Sequence, residues 1–321
     1  MGKKAQKISA ATLPFLEDFL LHIQSGNYSD RTLQSYERDL RTFSLFLSFD
    51  VCVPFEQMTK RTVEQFKAYL QSKDRKTASG SPTTQRLQSG SINRTLVTLR
   101  RYLAYLIDMD EPVPVPPGSV KLLRTEKKHP QVAELEQLTM LIEAPTQFEN
   151  NPLVALRNRA ALETLFASGM RISELISLRR DQIDGTGKIF IQGKGKKQRF
   201  VYLTKRAKQH VDRYLRGHRD DSIYLFIPHK GARARKPIFH ISANYLQMKI
   251  KKYRELLGIN VPTSAHSLRH GFATYLAEQG ADPAAIKTLL GHESLETTTR
   301  YIHTSDQHAQ STHQRFHPLK E

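Results

Sequence analysis

Six residues in the second half of the chain form a divided set. Arg171 lies in Ser-Gly-Met-Arg-Ile-Ser-Glu-Leu and Lys194 in Gly-Lys-Gly-Lys-Lys. His266 and Arg269 lie in His-Ser-Leu-Arg-His, His292 in Leu-Gly-His-Glu, and Tyr301 in Thr-Arg-Tyr-Ile-His. These types together suit the opening of a phosphodiester through a covalent phosphotyrosine. Each guanidinium offers a planar fork to non-bridging oxygens, and charge that grows on those oxygens in the transition state meets donors already in place. A phenol with a pKa near about 10 is neutral at pH 7, but nearby arginines favour the phenolate. Its attack on phosphorus would leave a phosphotyrosine and a free 5′-hydroxyl. The bond energy stays in the ester, so rejoining needs no ATP.

Each piece also has a plainer reading. His266 and Arg269, three apart on a helix, share a face, as a surface polar pair also would. Glu174 sits one turn beyond Arg171, where it could orient the guanidinium through charge-assisted hydrogen bonds or form only an ordinary i,i+3 pair. Lys194, at the tip of a hairpin, could donate a proton to the leaving oxygen or be a solvated turn lysine. His292 follows a helix-ending glycine, nine residues before Tyr301. There it could aim an imidazole at a phosphate, or hydrogen-bond a helix end. Any one of the twelve tyrosines could serve packing alone.

Composition narrows the field. The 321 residues favour two domains over one. A formal net charge of +18 favours a polyanionic partner. Residues 1–125 carry +6 of it and the remainder +12, so both parts are basic, as expected if both touch one duplex. Cys52 is the sole cysteine, which excludes an intrachain disulfide and a zinc cluster built on cysteines. No cluster of carboxylates stands out for Mg²⁺, so neither a metal nor another cofactor is expected. The start of the chain lacks the apolar region of a signal peptide, and no apolar run reaches membrane-spanning length. The expectation is a cytoplasmic, nucleoid-associated protein with no membrane partner.

The elements that must position the set are mostly helices. Leu16, Phe19 and Leu20 recur at helical spacing, and Asp30 can cap a helix carrying Leu33, Tyr36, Leu40 and Phe43. A further helix fits residues 62–71. Residues 72–91 read as an exposed loop. Leu96, Leu99, Leu103 and Leu106 stripe the amphipathic stretch 92–107, with Arg94 and Arg101 off the stripe; these two arginines are candidates for facing DNA, or for a solvated face. Four prolines between 112 and 117 mark a stiff extended linker. Beyond it, residues 156–168 form a helix stopped by Gly169, and a short helix covers 172–178. Residues 188–192 and 199–203 flank the Gly-Lys turn as a β-hairpin, in which Lys196 and Lys197 are further candidates for contacting DNA. Ser264 can cap a helix that ends at Gly280, and Asp282-Pro283 opens another that ends at Gly291. On Ser264's helix, Leu268, Phe272 and Leu276 would pack inward while His266 and Arg269 point toward a cleft.

The ordered set Arg, Lys, His-x-x-Arg, His, Tyr resembles the tyrosine recombinase and integrase family over about residues 156–303. Thr32-Leu-Gln-Ser-Tyr-Glu-Arg-Asp-Leu and Ile92-Asn-Arg-Thr-Leu resemble that family's core-binding domain more loosely. Compact size and the ending Phe316-His-Pro look most like the Xer subgroup. The resemblance implies a mainly α fold with a small β-sheet: a helical core-binding domain (1–110), a Pro-rich linker (111–129), an α+β catalytic domain (130–304) and a tail (305–321) that docks on a neighbouring protomer. Together they would form a C-shaped clamp. The resemblance makes Arg171 and Arg269 the phosphate clamp, Tyr301 the nucleophile, Lys194 the general acid, His266 an acid–base assistant and His292 a hydrogen-bond donor, with Glu174 behind Arg171. It implies a homo- or hetero-tetramer on double-stranded DNA bearing a specific recombination site, strand exchange through a Holliday junction, and a role in resolving dimers that can call on a second recombinase or a DNA translocase. The integrase or transposase of a mobile element, and a type IB topoisomerase-like enzyme, share the chemistry.

Overall fold

The computed structural model describes residues 13–125, 133–192, 198–217, 220–231, 234 and 238–291. Lys194, Lys196, Lys197, His292, Tyr301 and the tail 305–321 lie outside the described residues. The chain divides into two compact units, Met1–Lys128 and His129–Glu321.

The first unit is helical: α1 (Leu16–Ser25), α2 (Asp30–Phe46), α3 (Lys60–Gln71) and α4 (Ser89–Asp108). Asp30 is the first helical residue of α2 rather than its cap; the cap is Ser29, whose hydroxyl accepts from the Thr32 N–H. Serine one residue earlier fills the same role, because either side chain can reach an orphan first-turn donor. α2 and α4 bury one face each around Leu40, Phe43, Phe46, Leu96, Leu99 and Leu103, with Phe66 of α3 edge-on to Phe43. Asp39 is buried between α2 and α4, where Arg94 and the Thr98 hydroxyl donate to its two oxygens at 3.1 and 3.2 Å. Burial outweighs these donors and raises its pKa.

The segment read from sequence as an exposed loop and the one read as a stiff extended linker are both anchored. In the loop before α4, the Lys76 N–H donates to Tyr69 Oη at 2.7 Å and Thr77 pairs with Ser81 across a tight turn. The proline-rich stretch lies on the first core: Val115 and Val120 are buried there, and the Asn93 side chain pairs with both backbone groups of Leu123 at 2.9 and 2.8 Å. Alternating prolines set the extended backbone, and the valines between them supply the apolar face that docks it.

In the second unit α5 (Leu135–Phe148), α6 (Pro152–Ser168) and α7 (Ile172–Ile176) precede a two-stranded antiparallel sheet of β1 (Lys188–Gln192) and β2 (Gln198–Tyr202). Then follow α8 (Lys205–Arg216), α9 (Ala243–Leu256), α10 (Ala265–Glu278) and α11 (Pro283–Leu290). The pairs Lys188↔Tyr202 and Gln192↔Gln198 bound the hairpin register. α6 packs against α5, α8 and α10 and is buried nearly all round, so it lacks an apolar stripe. Several of its buried polar side chains reach partners on neighbouring elements. Arg157 donates to the Ile227 carbonyl at 2.9 Å, and Glu163 accepts from Arg206 at 2.7 Å and pairs with Arg159 at 2.9 Å.

α6 starts at Pro152, four residues before its sequence-read start, with Asn151 as cap. It stops as expected at Gly169, in the left-handed region at φ +60°. A Cβ at Gly169 would stand 2.3 Å from Phe272 Cδ1 of α10. Gly169→Ala therefore combines left-handed strain with a steric clash, and should cost about 2 kcal/mol or more. A lower urea midpoint at unchanged slope would show this; an unchanged midpoint would mean that α10 shifts freely away from α6.

Candidate active site

The site is built on helix ends. A helix leaves its last carbonyls without intrahelical donors, and these form the negative pole of its dipole. α11 is eight residues long, opened by Asp282 and Pro283 and closed by Gly291 at φ +63°. Its last carbonyls are taken one by one by arginines. Leu289 O accepts from Arg199 Nε at 2.9 Å, Leu290 O from Arg269 Nη2 at 2.6 Å, and Gly291 O from Arg171 Nη2 at 3.3 Å. Arg269 Nη1 also donates to the Gly169 carbonyl beyond α6 at 2.7 Å. One guanidinium thus ties two helix C-termini together.

Arg171 precedes α7 directly and is its N-cap. Glu174, one turn on, accepts from the Arg171 N–H at 2.7 Å and from Arg171 Nη1 at 3.1 Å. The same carboxylate takes a two-pronged pair from Arg199 of β2, Nη1 at 3.0 Å and Nη2 at 2.7 Å. Burial pushes the Glu174 pKa up, but the hydrogen bonds from Arg199 and from the Arg171 backbone, together with both positive charges, prevail and leave it below the usual range. Glu174 is therefore ionised at neutral pH. Among the described residues, three guanidiniums and one carboxylate meet at the end of α11, an excess of two positive charges.

The arginines differ in access. Arg269 is 3% exposed, whereas 42% of the Arg171 side chain faces solvent. The sequence reading placed Arg269 pointing toward a cleft. Instead it lies among the ends of α6 and α11, where carbonyls compensate its desolvation. His266 is exposed on the first turn of α10. Desolvation lowers its pKa first, and Arg269 and Arg171 lower it further, so the ring is neutral at pH 7 and able to accept a proton. Its Nε2 lies 2.7 Å from His270 Nε2, so one ring donates to the other.

The structure thus brings Arg171, Glu174, His266 and Arg269 to one place, and adds Arg199 and His270, to which sequence reasoning gave no role. His270 was visible as the last residue of His-Ser-Leu-Arg-His. Arg199 carried a fainter signal: it shares a strand face with the buried Val201. The candidate DNA-facing arginines are engaged within the first unit. Arg94 pairs with Asp39 and bonds Ser35. Arg101 donates to Tyr28 Oη at 3.1 Å and to Tyr36 Oη at 2.8 Å, beside both rings. Among the described residues no group of His, Cys, Asp and Glu is arranged to hold a metal ion, and no helix is long and apolar enough to cross a membrane.

Comparison with known proteins bears on both units. Residues 132–308 match the phage integrase family, and residues 16–109 match the phage integrase N-terminal SAM-like domain. Tyrosine recombinase XerC of Pelobacter propionicus is 33% identical over 94% of this chain and 94% of its own length. Tyrosine recombinase XerD of Staphylococcus haemolyticus is 30% identical over 94% and 98%. Among solved structures, the XerH site-specific recombinase bound to a palindromic difH substrate superposes with a TM-score of 0.69 at 21% identity, over 92% of this chain and 82% of that one. A lambda integrase dimer bound to a core site gives 0.67 at 16%, over 89% and 93%; both likenesses concern the fold. The chain belongs to the phage integrase, or tyrosine recombinase, family, whose catalytic domain performs DNA strand cleavage and transfer.

The geometry sets the sign of a pH effect. Folding lowers the His266 pKa below 6.5, so the unfolded chain holds the proton more tightly. The linked stability is fully present above that value and is lost as pH falls through the folded pKa. An NMR titration should place the His266 ring below 6.5, and Arg171→Ala should raise its midpoint by removing a facing cation. A midpoint unmoved by that substitution would mean that the two groups do not interact.

Proposed function

We propose that this member of the family is a site-specific DNA recombinase of the Xer type, which cleaves and rejoins DNA through a 3′-phosphotyrosine and a Holliday junction. The observation that carries the reading is the convergence of Arg171 and Arg269 on the end of α11, with His266 within the field of both arginines, His292 next after the terminal glycine and Tyr301 ten residues beyond Gly291 in sequence. The excess positive charge suits one phosphate. Arg171, whose side chain is partly exposed, contacts a non-bridging oxygen, and Arg269 supplies a fixed positive field from its buried position.

In the proposed reaction the Tyr301 oxygen attacks phosphorus while the bond from phosphorus to the 5′-oxygen breaks. The phenolic proton leaves to a base, for which neutral His266 is suited. The departing 5′-oxygen takes a proton from Lys194, and His292 donates to the phosphate. The second step reverses the roles: a 5′-hydroxyl attacks the phosphotyrosine and frees Tyr301. Clamp donors already held by carbonyls and by Glu174 need little reorganisation as charge develops.

The Xer assignment draws its support from the length over which the chain aligns with XerC and XerD proteins. On this reading the partners are duplex DNA with a recombination site and further copies of this chain or a second recombinase. The solved relatives include recombinases bound to DNA sites. Dimer resolution is the cellular role proposed, and the protein works at the nucleoid in the cytoplasm. The basic N-terminal unit contributes to the DNA grip, with Lys196 and Lys197 as further phosphate contacts.

Two experiments separate the roles. Tyr301→Phe should bind DNA as the wild type does but form no covalent adduct when incubated with nicked genomic fragments and denatured; an adduct that persists would mean that another residue is the nucleophile. Sequencing the wild-type adducts should return one enriched site with paired arms, whereas scattered sequences would favour a topoisomerase-like enzyme. Lys194→Ala should slow cleavage of ordinary DNA by about 10²–10⁴-fold and much less on a substrate whose 5′-oxygen is replaced by sulfur, a better leaving group. Equal slowing on both would remove Lys194 as the general acid.

A further inference from the structure

We propose that Arg199 is a positioning residue for strand cleavage: it fixes Glu174, and through it Arg171, in the orientation that meets the scissile phosphate. This rests on the recombinase reading above. Arg199 is not itself suited to hold the phosphate, since its side chain is 7% exposed and all three of its nitrogens are engaged. Nη1 and Nη2 reach the two oxygens of Glu174 and Nε reaches the Leu289 carbonyl.

Glu174 and Arg171 alone would be an i,i+3 pair, a contact that restrains a side chain weakly. Arg199 changes its character. Each oxygen of Glu174 now carries two donors, one from each arginine: Nη1 of Arg171 and Nη1 of Arg199 on Oε1, the Arg171 N–H and Arg199 Nη2 on Oε2. A parallel two-pronged pair fixes the plane of the carboxylate, and a fixed plane fixes the direction in which Arg171 Nη1 must point. The third nitrogen fixes Arg199 in turn, because Leu289 O belongs to the helix end that also receives Arg171 and Arg269. Packing agrees: a Cβ on Gly291 would lie 3.0 Å from Arg199 Cδ, so the turn that ends α11 rests on the arginine's stem. Lysine cannot reproduce this arrangement, having one point charge where three directed donors are used.

The guanidinium also joins three elements that carry members of the proposed catalytic set. β2 follows Lys194 by four residues in sequence, α7 begins after Arg171, and the end of α11 precedes His292. The contact through which Arg199 acts is nevertheless specific. Glu174 faces Arg171, so the consequence of losing Arg199 should run through Arg171.

The test is single-turnover cleavage of a suicide DNA substrate by full-length protein, with DNA affinity and thermal melting measured alongside. Arg199→Lys should bind DNA within about twofold of wild type and cleave about 10²-fold more slowly, the size expected when a reacting group is displaced from its attack geometry. The deciding measurement repeats the substitution in an Arg171→Ala background. If Arg199 acts by positioning Arg171, it should cause less than about twofold further slowing there. Equal slowing in both backgrounds would overturn the proposal, since that is how a general effect on the fold behaves. Arg199→Ala strands an ionised, largely covered Glu174, so it is paired with Arg199→Ala/Glu174→Gln, which removes that charge. The double variant should melt closer to wild type yet cleave as slowly as Arg199→Lys; cleavage at the wild-type rate would overturn the proposal. Wild type that forms no covalent adduct would overturn the recombinase reading itself. A normal wild-type adduct together with an unslowed Arg199→Lys would overturn only the role of Arg199.

Discussion

Three consecutive carbonyls at the end of one short helix, Leu289, Leu290 and Gly291 of α11, each accept a different guanidinium. The rest of the site follows from this contact. The arginines come from a strand, from a helix and from the residue before a helix, separated by up to 98 positions between Arg171 and Arg269. Nothing local would bring them together, and three like charges in one place repel. The unpaired carbonyls of a helix end offer acceptors at a fixed spacing and a negative pole at no cost in net charge. Among the described residues Glu174 supplies the full counter-charge, and Arg171 and Arg199 share it.

This arrangement explains why α11 can be so short. An eight-residue helix is marginal by itself and has only a small apolar face, in which Ile286 and Leu290 meet Ala273, Phe272 and Leu276. Its termini do the remaining work. Asp282 caps the first turn through the Ala284 N–H, and Gly291 turns the chain through a left-handed residue. The arginines then close the open end. The same logic applies at α6, whose C-terminal glycine carbonyl receives Arg269. Two negative helix poles meet on one buried cation, which meets much of the desolvation cost that a buried arginine otherwise carries.

These physics also explain what could be read in advance. The stops at Gly169 and Gly291, the Ser264 cap and the β-hairpin are local: a left-handed residue, a hydroxyl near an orphan N–H and alternation about a Gly-Lys turn. Each was legible in a few neighbouring residues. Arg171, His266 and Arg269 were singled out by residue type and order, and the structure brings the three near one another. Arg199 was not, because its partners lie 25 and 90 residues away and a strand arginine usually signals a solvent face. The clue lay in the period of two: Ile189, Ile191 and Val201 are buried, whereas the aromatic Phe190, Phe200 and Tyr202 are exposed. That is the reverse of what aromatic content suggests. The early start of α6 was hidden for a related reason. A helix buried on every side, with Arg157, Asn158 and Glu163 satisfied by neighbours, has no periodic contrast to read.

The gradient of exposure from Arg269 and Arg199 to Arg171 has a mechanistic meaning on the proposed reading. A phosphate clamp made of exposed arginines would lose side-chain freedom on binding, a cost of about 0.5–1.5 kcal/mol for each immobilised chain. Here two of the three guanidiniums are already immobile, and only Arg171 retains access to solvent. Its remaining freedom is limited on one side by Glu174 and on the other by the Gly291 carbonyl. A phosphate arriving at Arg171 would therefore meet a donor whose direction was set during folding. Burial also keeps the surroundings of Arg269 low in dielectric, where a charge acts more strongly than in water. The features that make the arginines costly to bury are thus the features that make them effective at a developing negative charge, and the carbonyls of α11 are what allow both at once.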